Sequence, residues 1–390
     1  MAKRVGIEVS LAVSEAVRLA DCDVVAAYPI TPQTHIVEHL SELVAEGELD
    51  AEFVPVESEH SAMSTSLGSS AAGARTFTAT SAQGLALMHE LLYMAPGLRL
   101  PMVMAVANRA MSPPISIWND HSDIMAERDT GWIQLFAQNG QETFDMTLQA
   151  FRISEHPDVL LPVAVNLDGF TLSHVVEPVI LPDEAEVKKF LPPINNQLRL
   201  DPARPVSMGL FGIPEIYYET KKAVDVVLVN SKKIIYDVWK EFESIFGRSY
   251  GPLEAYRTKD ADTVLVTMGS ISETAMTAVD EMREEGQKVG LLRLILWRPF
   301  PDDEFKAAVK GVKKIGVVDR CVTLGSHANP VCQEIRSLLY PLAQRPEVYG
   351  FTVGLGGRDA TRDNFKEIYE RCQALQGGDQ ARFEMVGVME

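Results

Sequence analysis

The sequence predicts an α/β protein built from two consecutive units. Apolar runs of strand length alternate with stretches of helical periodicity through the first 170 residues, and the same alternation resumes near residue 263. Between the two lie a proline-dense stretch and one long helical pattern. The size agrees: 390 residues, 46% hydrophobic and 23% charged, are enough for two or three domains that bury cores without disulfide staples.

In order along the chain, Asp23 to Ala27, Phe53 to Val56, Thr76 to Thr80, Met102 to Ala107, Ile133 to Ala137 and Val159 to Asn166 read as strands. Helices are expected at about 8–20, 33–46, 59–72, 83–94 and 141–154, which makes successive βαβ units and a parallel sheet covered on both faces. The stretch SAMSTSLGSSAAG at 61–73 is nearly all small residues, which suits tight helix-on-sheet packing and close ligand approach equally. From Pro178 to Pro214 fall seven of the 22 prolines, a density that breaks regular structure and predicts an extended connection over 171–215, suited to wrapping a neighbouring subunit. A long helix is expected from about Tyr217 to Phe246, and GRSYGP at 247–252 marks a boundary. Thr263 to Thr267, Val289 to Leu296, Ile315 to Val318 and Phe351 to Val353 are then strands, with helices near 272–286, 303–310 and 328–342. The expected domains are 1–235, including that connection, and 250–390.

A net charge of −18 repels a phosphate backbone, so nucleic acid is not an expected partner. No window holds the roughly 18 consecutive apolar residues of a membrane span, and the N-terminus lacks a signal-type apolar core. Cys22, Cys321, Cys332 and Cys372 form no C-x-x-C pair, so no metal site or iron–sulfur cluster follows from their spacing. A soluble protein of the reducing cytoplasm is the expectation.

Three strand ends carry chemistry-bearing residues. Tyr28-Pro29-Ile30-Thr31-Pro32 closes the first strand and holds the Thr31 hydroxyl at the carboxyl edge, where open α/β sheets bind ligands; Thr31 serves equally as a helix cap. The second strand delivers Glu57, Glu59 and His60 into a helix start, either as caps or as a carboxylate poised toward a cofactor ring. The fourth ends in Asn108-Arg109, and Arg offers bidentate recognition of a carboxylate or an ordinary ion pair. A polar and aromatic stretch follows, and in it Met111, Trp118 and His121 are candidates for a pocket or an interface. The convergence of Thr31, Glu59 and Arg109 on one sheet edge favours a site.

With these residues in view, the sequence resembles the α subunit of pyruvate:ferredoxin oxidoreductase and related 2-oxoacid:acceptor oxidoreductases. The resemblance rests on YPITPQT at 28–34, ESEHSAMS at 57–64, TATSAQGLALMHE at 78–90, ANRAMSPPISIWNDHSD at 107–123 and RDTGWIQLFA at 128–137. In the second unit VTMGS at 266–270, LRLILWRPFP at 292–301, GVVDR at 316–320 and GLGGRD at 354–359 extend it over essentially the whole chain.

The resemblance implies a thiamine-pyrimidine-binding parallel-sheet domain followed by a smaller α/β domain like the transketolase C-terminal domain. It implies that Glu59 hydrogen-bonds N1′ of the aminopyrimidine of thiamine diphosphate, with Pro29 and Ile30 also at the cofactor, and that Thr31 and Arg109 bind the substrate carboxylate. No GDG occurs in the chain, so the diphosphate and its Mg²⁺ would sit on a partner. The implied partners are a β subunit with that motif and a [4Fe-4S] cluster, a ferredoxin-like δ subunit with further clusters, and a γ subunit linked to coenzyme A. The implied reaction oxidatively decarboxylates a 2-oxoacid, pyruvate by default, to an acyl-CoA. An aromatic or branched 2-oxoacid such as phenylglyoxylate, a non-reductive decarboxylase component, and a scaffold subunit without a working site are the other readings. Gln33-Thr34 stand where the single-chain enzymes tend to have paired serines.

Overall fold

The computed structural model describes residues 2–196, 198–377, 380 and 382–389. The chain begins with β1 (Lys3–Glu8), α1 (Val9–Leu19), β2 (Val24–Ala27), α2 (Thr34–Ala45), β3 (Glu52–Pro55), α3 (Glu59–Ala72) and β4 (Thr76–Thr80). Then come α4 (Ala82–Leu87), α5 (His89–Leu92), α6 (Met94–Gly97), β5 (Val103–Asn108), α7 (Ser122–Ala126), β6 (Ile133–Phe136), α8 (Gly140–Ser154) and β7 (Val163–Asp168). A connecting stretch holds β8 (Val176–Leu181), α9 (Glu184–Phe190) and the long α10 (Pro214–Phe246). The remainder is β9 (Leu253–Tyr256), β10 (Thr263–Met268), α11 (Ile271–Glu284), β11 (Val289–Leu294), β12 (Leu296–Arg298), α12 (Asp302–Ala308), β13 (Lys314–Asp319), α13 (Pro330–Leu339), β14 (Glu347–Thr352), α14 (Arg362–Ala374) and β15 (Glu384–Met385).

Seven strands in the order β12-β6-β7-β5-β4-β2-β3 form the first sheet, and β2 to β7 run parallel in it. Every residue of β4, β5, β6 and β7 is buried, because both faces are covered. Along β5, Val103, Ala105 and Ala107 join the core under α1, α2 and α8, whereas Met102, Met104 and Val106 join a second core shared with β10, β11 and Trp297. Six strands, β15-β14-β13-β10-β11-β9, make the second sheet, parallel except for β9. The two sheets therefore sandwich one common core. The fold class is the expected α/β arrangement.

Four boundaries differ from the sequence reading. The expected strand Val289–Leu296 divides at Ile295, and Leu296–Arg298 crosses into the first sheet to pair antiparallel with β6. The expected Val159–Asn166 strand starts only at Val163, because Leu160 turns through a positive φ of 43°. The helix expected at 83–94 is three short helices, broken at Met88 and Tyr93. Within the proline-dense connection, β8 pairs antiparallel with β1, and Pro178 is tolerated opposite Gly6 because a two-stranded ribbon is all edge. The small-residue helix α3 starts on the Ser58 N-cap and stops at Gly73, whose φ of 98° ends it in a left-handed turn.

Candidate active site

Because β2 to β5 and β7 are parallel, the residues following each of them share one sheet edge. Thr31 follows β2, Glu59 follows β3, the Ser81–Gly84 turn follows β4, Arg109 follows β5 and Asp168 ends β7. The structure brings Arg109 and Thr31 into contact: Arg109 Nη1 donates to the Thr31 backbone carbonyl at 2.9 Å and Nε to the Ser116 carbonyl at 2.8 Å. Arg109 is buried, yet no carboxylate lies within ion-pair distance of it among the described residues. Burial draws its guanidinium below the usual arginine range, opposed by the nearby charge of Asp123.

Glu59 opens α3 and is buried, whereas Glu57 is exposed and accepts a hydrogen bond from Ser61 Oγ. The Glu59 carboxylate lies against α4: a Cβ built on Gly84 would stand 2.5 Å from Glu59 Oε1 and 2.5 Å from Thr80 Oγ1. Glu59 makes no hydrogen bond to Thr31 or Arg109 among the described residues, so the three candidates share an edge but only two of them touch. Around that carboxylate the β4–α4 turn buries the hydroxyls of Thr80 and Ser81 and the Gln83 amide without hydrogen-bond partners. Buried polar atoms are nearly always paired, so this cluster is a local exception at the sheet edge. His60, next in sequence, faces away to Glu90 at 2.9 Å.

Sequence reasoning missed the struts that hold the edge. Asp123 accepts hydrogen bonds from the backbone N–H groups of Ala82 (3.1 Å), Arg109 (2.9 Å) and Ile124 (2.7 Å) and from Asn108 Nδ2 (3.1 Å). One carboxylate thus ties the β4 turn, where Ala82 has a strained φ of 40°, to the β5 end. Burial pushes the Asp123 carboxyl up to about 6 despite those donors. Gln33 does a similar job for the first strand: it is fully buried, accepts from Ile30 N at 3.1 Å and donates to the Ala79 carbonyl at 2.7 Å. Gln33 thus acts through backbone atoms of the β2 and β4 segments.

Of the three pocket candidates, Trp118 is half exposed and lies against Phe170 in a tilted pair with ring centroids 4.6 Å apart. Met111 is partly buried, with its N–H donated to Ser122 Oγ at 3.1 Å. His121 instead lies in a buried network between the sheets: Nε2 meets Asp168 Oδ1 at 2.7 Å, while Asp168 Oδ2 accepts from Arg320 Nη1 at 3.0 Å and Ser270 N at 2.8 Å. Burial alone would raise the Asp168 pKa, but Arg320, His121 and Ser270 more than offset it and hold the carboxyl well below the usual range. The second unit braces this loop further, since His121 N donates to the Arg320 carbonyl at 2.8 Å and Gly357 N to the Asn119 carbonyl at 2.6 Å. Gly357 has a φ of 78°, and a Cβ there would come 2.4 Å from Trp118 Cβ. All four cysteines are buried, and burial pushes the thiols of Cys332 and Cys372 up to about 12, which keeps both protonated at neutral pH. Among the described residues no helix is long and apolar enough to cross a membrane.

Comparison with known proteins identifies the family. The family model described as pyruvate flavodoxin/ferredoxin oxidoreductase, thiamine diphosphate-binding, matches residues 15–240. The pyruvate:ferredoxin oxidoreductase core domain II model matches residues 261–365. Pyruvate synthase subunit PorA of Methanocaldococcus jannaschii is 51% identical over 94% of this chain and 94% of its own. Ketoisovalerate oxidoreductase subunit VorA of Pyrococcus horikoshii is 45% identical over 90% of this chain and 89% of its own. The solved 2-oxoglutarate:ferredoxin oxidoreductase from Magnetococcus marinus superposes with a TM-score of 0.72 at 21% identity, over 96% of this chain and 65% of that one. A split-gene transketolase does so at 0.55 and 10% identity, over 95% and 99%. These two share the fold, and the transketolase likeness fits the expected character of the second unit. The chain belongs to the pyruvate:ferredoxin oxidoreductase family, as a chain of its separate α-subunit type.

Proposed function

We propose that this chain is the α subunit of a thiamine diphosphate-dependent 2-oxoacid:ferredoxin oxidoreductase acting on pyruvate, which it helps convert with coenzyme A to acetyl-CoA and CO₂. The observation that carries the reading is the buried Arg109 guanidinium, left without a carboxylate partner at the edge shared with Glu59. Its two carbonyl acceptors carry no full charge, and a substrate carboxylate would supply the counter-charge. Thr31, whose backbone carbonyl accepts from Arg109, would offer its hydroxyl as a second donor to the same carboxylate, with the tilted Trp118–Phe170 pair in the neighbouring loops.

The buried and unpartnered hydroxyls and amide of the β4–α4 turn fit a heteroaromatic ring carrying nitrogen and amino groups. Glu59, with Pro29 and Ile30, would hold that aminopyrimidine edge, and Glu59 would keep a proton at N1′. When bound, thiamine diphosphate supplies a nucleophilic carbon and an electron sink. The contribution of this chain is to orient the 2-oxoacid through Arg109 and to hold that proton. The diphosphate, Mg²⁺ and [4Fe-4S] clusters would belong to β and δ partners and coenzyme A to a γ partner, in a cytoplasmic complex.

The name of the Pyrococcus horikoshii relative favours a second reading, a branched-chain 2-oxoacid in the same site. The complex purified with its co-eluting subunits, assayed for CoA-dependent acceptor reduction with pyruvate, 2-oxoisovalerate, phenylglyoxylate and 2-oxoglutarate, decides between them. The highest kcat/KM is expected with pyruvate. A maximum with 2-oxoisovalerate selects the second reading, and turnover with none of the four overturns both.

A further inference from the structure

We propose that Glu8, His35 and His174 form a binding site for a divalent transition metal of the Zn²⁺ class, outside the site described above and independent of its assignment. One ligand atom from each residue lies within 4.8 Å of the others. His35 Nδ1 already meets Glu8 Oε1 at 2.7 Å, and the His35 and His174 rings lie tilted at 34° with centroids 4.5 Å apart. Two imidazoles and a carboxylate match the preference of Zn²⁺ for nitrogen and oxygen donors, and three protein ligands leave a fourth position open. Bonds of about 2.0 Å put tetrahedral ligand atoms roughly 3.3 Å apart, so closure needs side-chain shifts of about an ångström.

The backbone around the trio is already fixed. Glu8 ends β1, His35 lies in the first turn of α2, and His174 lies in the β7–β8 loop. Val9 N donates to the Val175 carbonyl at 3.1 Å and Ser10 N to the Ser173 carbonyl at 3.0 Å, which lock the first and third ligands together. His174 Nδ1 meets Ser173 Oγ at 2.8 Å, and that contact leaves Nε2 as the nitrogen to face a metal. No local spacing motif exposes such a site, because its ligands come from three distant segments.

A metal here would brace the loop that carries Phe170. That ring lies in tilted contact with both His174 and Trp118. Gly169 packs so tightly that a Cβ would come 2.5 Å from Pro32 Cγ and 2.4 Å from the Asn108 carbonyl. Occupancy would therefore clamp the Thr31–His35 turn against the Trp118 loop.

The test is calorimetric titration of the chelator-treated full chain with Zn²⁺, followed by X-ray absorption at the zinc edge. One equivalent is expected to bind, with an all-nitrogen and oxygen ligand sphere containing two imidazoles, and Glu8→Gln and His174→Ala should each weaken binding at least tenfold. No uptake, sulfur in the sphere, or binding undiminished in both variants would overturn the site. If a variant fails to fold, as read by far-UV circular dichroism, the absorption spectrum of the unmodified protein still decides.

Discussion

Replacing Gly84 by Ala tests the placement of Glu59 without touching the carboxylate chemically. Gly84 sits inside α4 without a positive φ, so its helical backbone accepts Ala, and helix propensity alone favours the change by about 1 kcal/mol. The added Cβ, however, would meet Glu59 Oε1 at 2.5 Å and Glu59 Cγ at 2.8 Å. Reaching an ordinary contact of about 3.4 Å moves the carboxylate by roughly 0.9 Å. The atoms in the way belong to a flexible carboxylate and a threonine hydroxyl, so the stability cost should stay at or below the roughly 1 to 3 kcal/mol of core overpacking. A misplacement near 1 Å costs on the order of 100-fold in a positioned catalytic group. The expected outcome is a kcat/KM about 100-fold lower in the complex with a Tm close to that of the unmodified chain. Glu59→Gln should also be severely impaired, and combining the two should add little, because both remove one interaction. Near-normal turnover in Gly84→Ala, or losses that multiply in the double variant, would show that the carboxylate beside Gly84 does not act in the reaction.

Two further perturbations address the rest of the edge. Arg109→Ala should lower kcat/KM for every 2-oxoacid tested, by an amount equivalent to roughly 2 to 5 kcal/mol, and Arg109→Lys should also be damaging because the planar fork is lost; a change in substrate ranking alone would make Arg109 a wall residue. Asp168→Asn should destabilise the chain by about 3 to 5 kcal/mol in urea unfolding at pH 7, since it leaves the Arg320 charge buried and uncompensated. The Asp168 pKa is depressed in the folded state, so its stabilisation is present above the unfolded value near 3.8 and fades as pH falls below it. The difference between the two proteins should therefore shrink below about pH 4, and a constant difference would refute the coupling.

The α/β alternation was legible because fully buried parallel strands read as unbroken apolar runs, and β4 to β7 are of that kind. β1 and β8 were not, because a two-stranded ribbon leaves one side wet, and Lys3, Arg4 and Glu8 in β1 and Glu177 and Pro178 in β8 break the apolar pattern. β12 was hidden for the opposite reason. LRLILW reads as one continuous strand, and only the placement of the sheets decides that the chain changes partner at Ile295.

Of the candidate site, the strand-end residues stand out in the sequence and their supports do not. Thr31, Glu59 and Arg109 stand out because each breaks an apolar run at the same edge, whereas Asp123 and Gln33 act through backbone atoms that no spacing rule locates. The same logic explains why the resemblance extends into the second unit. Asp168 is a β7 residue whose partners His121, Ser270 and Arg320 come from both sheets, and Gly357 must lack a side chain to let Trp118 approach. The loop that carries Trp118 thus takes its shape from contacts made across the sandwich. Gly357→Ala should consequently displace Trp118 and change the ranking of 2-oxoacids by kcat/KM in the complex, and an unchanged ranking would refute that coupling.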